Sequence, residues 1–343
     1  MKIGILTFHN GFNHGGFFQA LGTYEYVKKL GHDVVIINYR NRHHLLAEYW
    51  GHISPRNHIR LWSNIKKILY FNKSQFVFNR TPFTCNLQAV SKTHFDLIII
   101  GSDIVWNYEW SFLGNDPIYF GYGLNSKRII SFAASFGAIS AETRIPNYVF
   151  NGFNNFNNIS VRDCFSADHV EKITSRRPEI VIDPSLIVDF DKFLKPVPET
   201  NYILVYAHIM NKAQKNILLD FAQSKNLKLI AVGYHQPWCN KNIIGVSPFK
   251  WLGYFRNASY VFTSTFHGTL FSIKYNRQFC TSLNSTIANK ITDFLQKLDL
   301  NKQIITNDSN LASLYDTPID YRPVNKSLAV QINRTKSYLN KHL

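Results

Sequence analysis

Residues 3–39, IGILTFHNGFNHGGFFQALGTYEYVKKLGHDVVIINY, decide the fold class. Ile3–Phe8 is a short apolar run with the composition of a buried strand, and His9–Gly16 carries three glycines and two asparagines, which make it a loop. From Phe17 to Leu30 the apolar positions Phe17, Leu21, Tyr24, Val27 and Leu30 recur at helical spacing, and Gly31 supplies a stop. Asp33–Tyr39 then reads as a second buried strand. Strand, loop, helix and parallel strand in this order open a doubly wound α/β domain with a right-handed crossover.

The pattern continues outward from that unit. Arg40 to about Val90 is basic, aromatic and weakly periodic, a helical excursion with one clear helix expected at Ile59–Tyr70. Strands follow at Asp96–Ile100, ending in Gly101-Ser102-Asp103, and at Arg128–Ala134, ending in Ser135-Phe136-Gly137. Ile159–Arg162 and Glu179–Ile182 read as two more. Asp191–Thr200, with two prolines and several charges, has the composition of a linker. Beyond it the alternation restarts, with strands at Tyr202–Ala207, Leu227–Val232, Tyr260–Thr263 and Gln278–Leu283, and helices at Lys212–Ser224, Pro248–Asn257, Thr269–Tyr275 and Ile287–Leu298. The expected organisation is therefore an N-terminal domain over 1–190, a C-terminal domain over 201–320, and a basic helix within 321–343 that packs back on the junction.

At 343 residues the chain suits two domains of about 150 residues each. Its 38 Lys and Arg against 22 Asp and Glu give a net charge of +16, which favours an anionic partner such as a phosphorylated metabolite, nucleic acid or a membrane surface. Cys85, Cys164, Cys239 and Cys280 have no CxxC spacing, so neither a zinc site nor a disulfide framework is expected and a reducing cytoplasm is the natural setting. The N-terminal apolar run is shorter than a signal peptide core, no stretch approaches ~20 uninterrupted apolar residues, no HExxH motif occurs, and no metal site is expected.

Four constellations invite chemistry. Tyr260-Val-Phe-Thr-Ser-Thr-Phe-His-Gly268 takes a strand into hydroxyl residues, presents His267, and turns at Gly268 before a helix. Ligands of open α/β sheets bind at such strand ends, and histidine is the side chain best suited to acid or base work near neutral pH. Arg162 ends a strand and precedes Asp163, suiting either a bidentate contact with a ligand carboxylate or phosphate, or a salt bridge with Asp163 or a surface position. Gly101-Ser102-Asp103-Ile104-Val105-Trp106-Asn107 offers a carboxylate, an amide and an indole for sugar recognition, or a capped turn over a core tryptophan. The His9–Gly16 loop lies where a phosphate loop would, without the GxGxxG spacing or the P-loop lysine.

Taken together, these stretches resemble the polysaccharide pyruvyl transferase family. The matching pieces are Asn13-His14-Gly15-Gly16 through Gln19-Ala20-Leu21; Ile100 through Asn107; Ser131-Phe132-Ala133-Ala134-Ser135-Phe136-Gly137; Ile159 through Asp163; Ile182-Asp183-Pro184-Ser185-Leu186; Val246-Ser247-Pro248 through Leu252; and Ser264 through Ser272. The resemblance implies a GT-B-like fold of two Rossmann-like domains facing a cleft. It implies transfer of the pyruvyl group of phosphoenolpyruvate onto two hydroxyls of a sugar as a cyclic ketal, with release of phosphate and no cofactor beyond that co-substrate.

The family's functional histidine falls on His267 and its functional arginine on Arg162. Ser264, Thr265, Gly268, Thr269 and Lys290 would serve the donor. Asn13, Gly15, Gln19, Ser102, Asp103, Trp106 and Asn107 would serve the acceptor, a sugar that is lipid-diphosphate-linked. Lys290 departs from the arginine that members often carry before the last helix, which turns a bidentate contact into a point charge. The expected location is the cytoplasm, at the inner face of the membrane, where the basic Arg40–Lys92 region and the C-terminal helix suit anionic lipid. The alternatives are a GT-B glycosyltransferase using a nucleotide sugar and a basic binding protein; dispersed positive charge without a recognised motif argues against nucleic acid.

Overall fold

The computed structural model describes every residue except 55–59, 141–142, 209, 285–286 and 306–310. In chain order it contains β1 (Lys2–Leu6), α1 (His14–Lys29), β2 (Asp33–Ile36), α2 (Arg42–Ile53), α3 (Leu61–Ser74), α4 (Leu87–Ser91), β3 (Leu97–Ile100), β4 (Ile129–Ser131), α5 (Asn147–Gly152), β5 (Ser160–Val161), α6 (Cys164–Thr174) and β6 (Glu179–Ile180). It continues with β7 (Tyr202–Tyr206), α7 (Lys212–Ser224), β8 (Lys228–Val232), β9 (Lys241–Ile243), α8 (Pro248–Asn257), β10 (Tyr260–Thr263), α9 (Phe266–Lys274), β11 (Gln278–Ser282), α10 (Ala288–Gln296), β12 (Ile304–Ile305), α11 (Leu311–Asp316) and α12 (Tyr321–His342). The expected helix start at Ile59 lies outside the described residues.

The chain forms two compact units. The first comprises Met1–Arg56, Gln75–Val188 and Val330–Leu343; the second comprises Asn57–Ser74 and Asp189–Ala329. Within the first, a parallel sheet runs β2-β1-β3-β4. Single bridges from Ile130 to Asn158 and from Ala134 to Val161 continue it toward the parallel pair β5-β6. The order reverses between β1 and β3. Both faces are covered, so the strands are apolar without alternation, and Ile3, Ile5, Ile98, Ile99 and Ile100 are all buried.

Helix α1 starts where the Asn13 side chain accepts from the amides of Gly15 (2.8 Å) and Gly16 (3.3 Å), an ordinary N-cap. It is buried along most of its length, and at Gly22 a Cβ would stand 2.2 Å from the Pro184 carbonyl oxygen, so this helix can lie against Pro184–Leu186 only with glycine there. The C-terminal part of α12 seals the same unit. Tyr338 donates to the Ser131 carbonyl (2.9 Å) and stacks on Phe132, and Thr335 Oγ1 accepts from the Ile182 amide (3.0 Å).

The second unit has one parallel sheet ordered β9-β8-β7-β10-β11-β12, the strand order of a Rossmann fold, reversing between β7 and β10. Phe221, Leu218, Phe262, Cys280, Leu311 and Tyr315 form part of its core. Asp191–Thr200 is no free spacer: Lys195 donates its amide to the Phe249 carbonyl (3.0 Å), and Lys241 pairs with Glu199 (2.7 Å). Its prolines punctuate a strap that runs along the second unit. Among the described residues no helix is long and apolar enough to cross a membrane.

Candidate functional site

Each unit gathers polar residues where its strand order reverses, beyond the carboxyl ends of the strands. In the second unit the loop after β10 is built by its own hydroxyls. Thr263 Oγ1 donates to the Tyr206 carbonyl (2.8 Å) and accepts from the Thr265 amide (3.1 Å), and Thr265 Oγ1 accepts from the Gly268 amide (3.0 Å) and so caps α9. Ser264 Oγ accepts from the His208 amide across the reversal (2.9 Å).

The helix therefore begins at Phe266, and His267 and Gly268 sit inside its first turn rather than in a turn before a helix starting at Thr269. Sequence periodicity missed this because the cap is a threonine embedded in a hydroxyl run. At Gly268 a Cβ would fall 2.0 Å from Thr263 Oγ1 and 2.6 Å from Thr265 Oγ1; only glycine leaves room for the cap. His267 is half-buried, its ring edge-on to Phe266.

One residue expected to face a donor is committed to the fold instead. Thr269 is fully buried and spends its hydroxyl on Thr281 Oγ1 (3.1 Å) and the Thr265 carbonyl (3.2 Å), joining α9 to β11. Ser264 and Thr265 shape the loop with their hydroxyls, as described. Lys290 is buried on α10 among Ile291, Phe294 and Leu295, on a helix that packs against α9.

Sequence reading missed a group next to Ser264. The His208 ring lies on Tyr234, with centroids 3.6 Å apart, and the buried Lys67 of α3 places Nζ 5.7 Å from the Tyr234 centroid. Burial pushes Lys67 down to about 8; burial, then the charge of Lys67, pushes His208 down to about 4. His208 was findable as a polar residue just beyond an apolar strand, the same signal that marks His267. Lys67 was findable only as a lysine on the stripe of Ile68 and Phe71.

In the first unit, Gln19, Ser102 and Asp103 converge with the loop after β1. Gln19 Nε2 donates to Thr7 Oγ1 (2.9 Å), and Thr7 Oγ1 donates to the Ser102 carbonyl (3.0 Å). Gly15 and Gly16 open α1 here, with Asp103 Oδ2 3.5 Å from where a Cβ on Gly16 would stand. Asp103 adopts a left-handed φ of 76°, and its carboxylate keeps some exposure. His9 and His44, also overlooked, border this region. Burial lowers His9 to about 4 and His44 to about 3, so both are neutral at physiological pH. Buried Arg40 is ion-paired with Glu48.

Arg162 is buried with NH1 on Asp183 (2.9 Å) and NH2 on Asp103 (3.1 Å). Desolvation pulls its pKa down, but Asp103, Asp183 and Asp163 together outweigh that and raise it. The ion pairs of Arg162 are with Asp183 and Asp103, where the sequence suggests the adjacent Asp163, and Arg162 fixes Asp103. Trp106 is corrected: it is fully buried, its indole N–H donates to the Tyr119 carbonyl (2.8 Å), and Phe120, Phe136, Phe153 and Phe156 surround its ring. No sugar can reach a tryptophan enclosed in this way. Asn107 likewise spends its amide on the loop, donating to the Phe136 carbonyl (2.8 Å) and accepting from the amides of Glu109 (3.1 Å) and Trp110 (2.7 Å).

Two Rossmann-like units, each with a polar cluster at its strand-order reversal, define a GT-B-like protein. Among solved structures, a UDP-GlcNAc 2-epimerase from Methanocaldococcus jannaschii in complex with UDP-GlcNAc and UDP matches with a TM-score of 0.50 at 11% identity, over 97% of this chain and 93% of that one. An S. aureus MnaA-UDP co-structure matches with a TM-score of 0.49 at 11% identity, over 99% and 96%. No curated protein sequence matches the chain. The chain belongs to the polysaccharide pyruvyl transferase family, whose profile matches residues 13–285, and it is a transferase.

Proposed function

We propose that this protein transfers the pyruvyl group of phosphoenolpyruvate to two hydroxyls of one sugar in a cell-surface polysaccharide or its lipid-linked precursor, forming a cyclic ketal and releasing phosphate. The observation that carries the reading is His267 in the first turn of α9, at the point where the strand order of the second sheet reverses. A helix N-terminus favours a neighbouring anion, and a histidine placed there has a proton donor's chemistry next to it.

In this reading His267 protonates the methylene carbon of phosphoenolpyruvate, leaving positive charge on the carbon that carries the phosphate oxygen. A sugar hydroxyl adds to that carbon and gives up its proton, returning one to His267. Phosphate then leaves with its bonding electrons, and the second hydroxyl closes the ring while its proton passes to the departing phosphate or solvent. Asp103, held by Arg162, is the acceptor-side carboxylate available to a sugar hydroxyl. Asn13 and Gly15 frame that side, while Gln19 and Ser102, expected there too, are fully buried and support the loop through Thr7. The reaction as written needs no metal or further cofactor.

The test is incubation with phosphoenolpyruvate and a panel of lipid-linked sugars, reading phosphate release and the mass of an added ketal. His267→Ala should lower kcat by about 10²–10⁴-fold. Near-normal phosphate release by that variant, or release of nucleoside diphosphate from a nucleotide sugar in place of phosphate, refutes the assignment.

The site of action in this reading is the cytoplasmic face of an anionic membrane, and α3 supplies the contact. Trp62, Lys66, Leu69 and Lys73 are all exposed and follow one helical stripe, with Trp62 81% and Leu69 61% exposed. Apolar side chains interleaved with lysines suit an anionic lipid surface. In co-sedimentation, Trp62→Ser with Leu69→Ser should lose the preference for anionic over neutral vesicles; equal binding by wild-type protein to both refutes the membrane assignment.

A further inference from the structure

The inner stripe of α3 holds Asn64, Lys67, Ile68, Phe71 and Ser74, all buried. Lys67 stands out among them because a buried ammonium normally has a carboxylate partner, and burying one without a partner costs several kcal/mol. Among the described residues, the side-chain contact of its ammonium is the face of Tyr234, and no carboxylate lies within ion-pair distance. The next group along is a second base: the His208 ring, tilted at 46° against the same tyrosine, has no hydrogen-bond partner among the described residues.

Among the described residues, the surroundings supply no negative charge. Around this place stand Tyr206 and His208 at the end of β7 and Tyr234 and His235 after β8. Helix α3 itself carries Lys66, Lys67 and Lys73 and no acidic residue, with Arg60 just before it, and α8, which packs against α3, carries Lys250, Tyr254 and Arg256 and no acidic residue. His208 is tied through its amide to Ser264, next to the cap of α9. Basic groups, a helix N-terminus and a missing counter-charge meet at the strand-order reversal of one sheet.

We propose that Lys67 and His208 form an anion pocket that binds the phosphate group of a small phosphorylated ligand beside the Ser264–Gly268 loop. On the reading of the previous subsection, that ligand is phosphoenolpyruvate, and Lys67 is the residue that holds its phosphate as charge accumulates on it. The identity of the ligand rests on that reading; the existence of the pocket does not.

Calorimetry with the full chain tests this, using inorganic phosphate and phosphoenolpyruvate as separate titrants against wild type, Lys67→Met and Lys67→Arg. Loss of one charged contact should weaken both anions by about 10–100-fold in Lys67→Met. An arriving anion raises the depressed Lys67 pKa, so wild type should take up protons on binding near pH 8.5, seen as a binding heat that varies between buffers of different ionisation enthalpy. Lys67→Arg, permanently charged, should bind without that uptake. Because methionine removes an unpaired buried charge, Lys67→Met should fold and melt no lower than wild type; phosphate should raise the melting temperature of wild type and not that of the variant.

Equal binding of both anions by wild type and Lys67→Met overturns the pocket, even if pyruvyl transfer is observed. Phosphate binding that depends on Lys67, in a protein that transfers no pyruvyl group to any acceptor, supports the pocket and refutes the reading of its ligand.

Discussion

Replacing Gly268 by alanine sets two physical effects against each other. Inside a helix alanine is favoured over glycine by about 1 kcal/mol, and helix propensity alone predicts a more stable protein. The structure predicts the reverse. A Cβ at this position would sit 2.0 Å from Thr263 Oγ1 and 2.6 Å from Thr265 Oγ1, far inside contact distance, and both oxygens are held, one by the Tyr206 carbonyl and the other by its capping bond. Relieving such an overlap costs about 1–3 kcal/mol. Moving Thr265 also breaks its bond to the Gly268 amide, an N-cap contribution of about 1 kcal/mol. Net of the propensity gain, Gly268→Ala should destabilise by about 1–3 kcal/mol, a fall in melting temperature of roughly 3–10 °C for a domain of this size.

Calorimetric melting measures that fall directly, and phosphate release measured alongside should drop because His267 shares the displaced turn. Adding Thr263→Ala removes the nearer clash and should recover part of the lost stability, so the two substitutions should not add. A Gly268→Ala variant that melts higher than wild type and keeps full turnover would show that the cap does not confine this turn, and the reasoning would fail.

Arg162→Met should cost about 3–5 kcal/mol, because the buried Asp183 carboxylate is left without its partner, whereas Trp106→Phe should cost about 1–3 kcal/mol for the orphaned Tyr119 carbonyl and leave KM for the acceptor unchanged; urea melts and steady-state kinetics check both. Stability should also fall on acidification. His9 and His44, both buried, have folded pKa values depressed below 6.5, so their stabilising effect is complete above pH 6.5 and fades as the unfolded chain gains protons that the folded one refuses, down to about pH 4 for His9 and about pH 3 for His44. For His9 alone this is roughly 3 kcal/mol across the window, and urea midpoints for His9→Gln should show a shallower pH slope than wild type.

Much of the architecture was legible from periodicity. Lys212–Ser224, Pro248–Asn257 and Tyr260–Thr263 have the expected bounds because each is marked at one end by a strong local signal: an N-cap, a proline at the first helical position or a hydroxyl run after the strand. Short pieces escaped for want of length, as with β9, β12 and α11, whose pairing or packing is decided by neighbours distant in sequence. The candidate site was legible where a strand ends in polar residues, which located His267, Ser264 and Asp103. It was not legible where one residue type fits two environments. Trp106 and Asn107 have the chemistry of sugar recognition, yet an indole and an amide serve equally well as a core filler and a loop staple, and only burial distinguishes the two. Lys67 shows the converse, a residue type that defaults to the surface and is found inside.

The order in which the chain visits its two units bears on how the protein is made and dissected. The first unit is completed only by Val330–Leu343, whose Tyr338 fills a buried position against Phe132, and the second takes α3 from a segment that lies, in sequence, between two stretches of the first. A fragment cut at the Val188–Asp189 crossing therefore gives neither unit whole: one half lacks its sealing tyrosine, the other its inward-facing lysine. During synthesis the early strands must wait for Val330–Leu343 before their packing is finished, which leaves apolar surface exposed until that segment emerges and makes its loss a folding lesion.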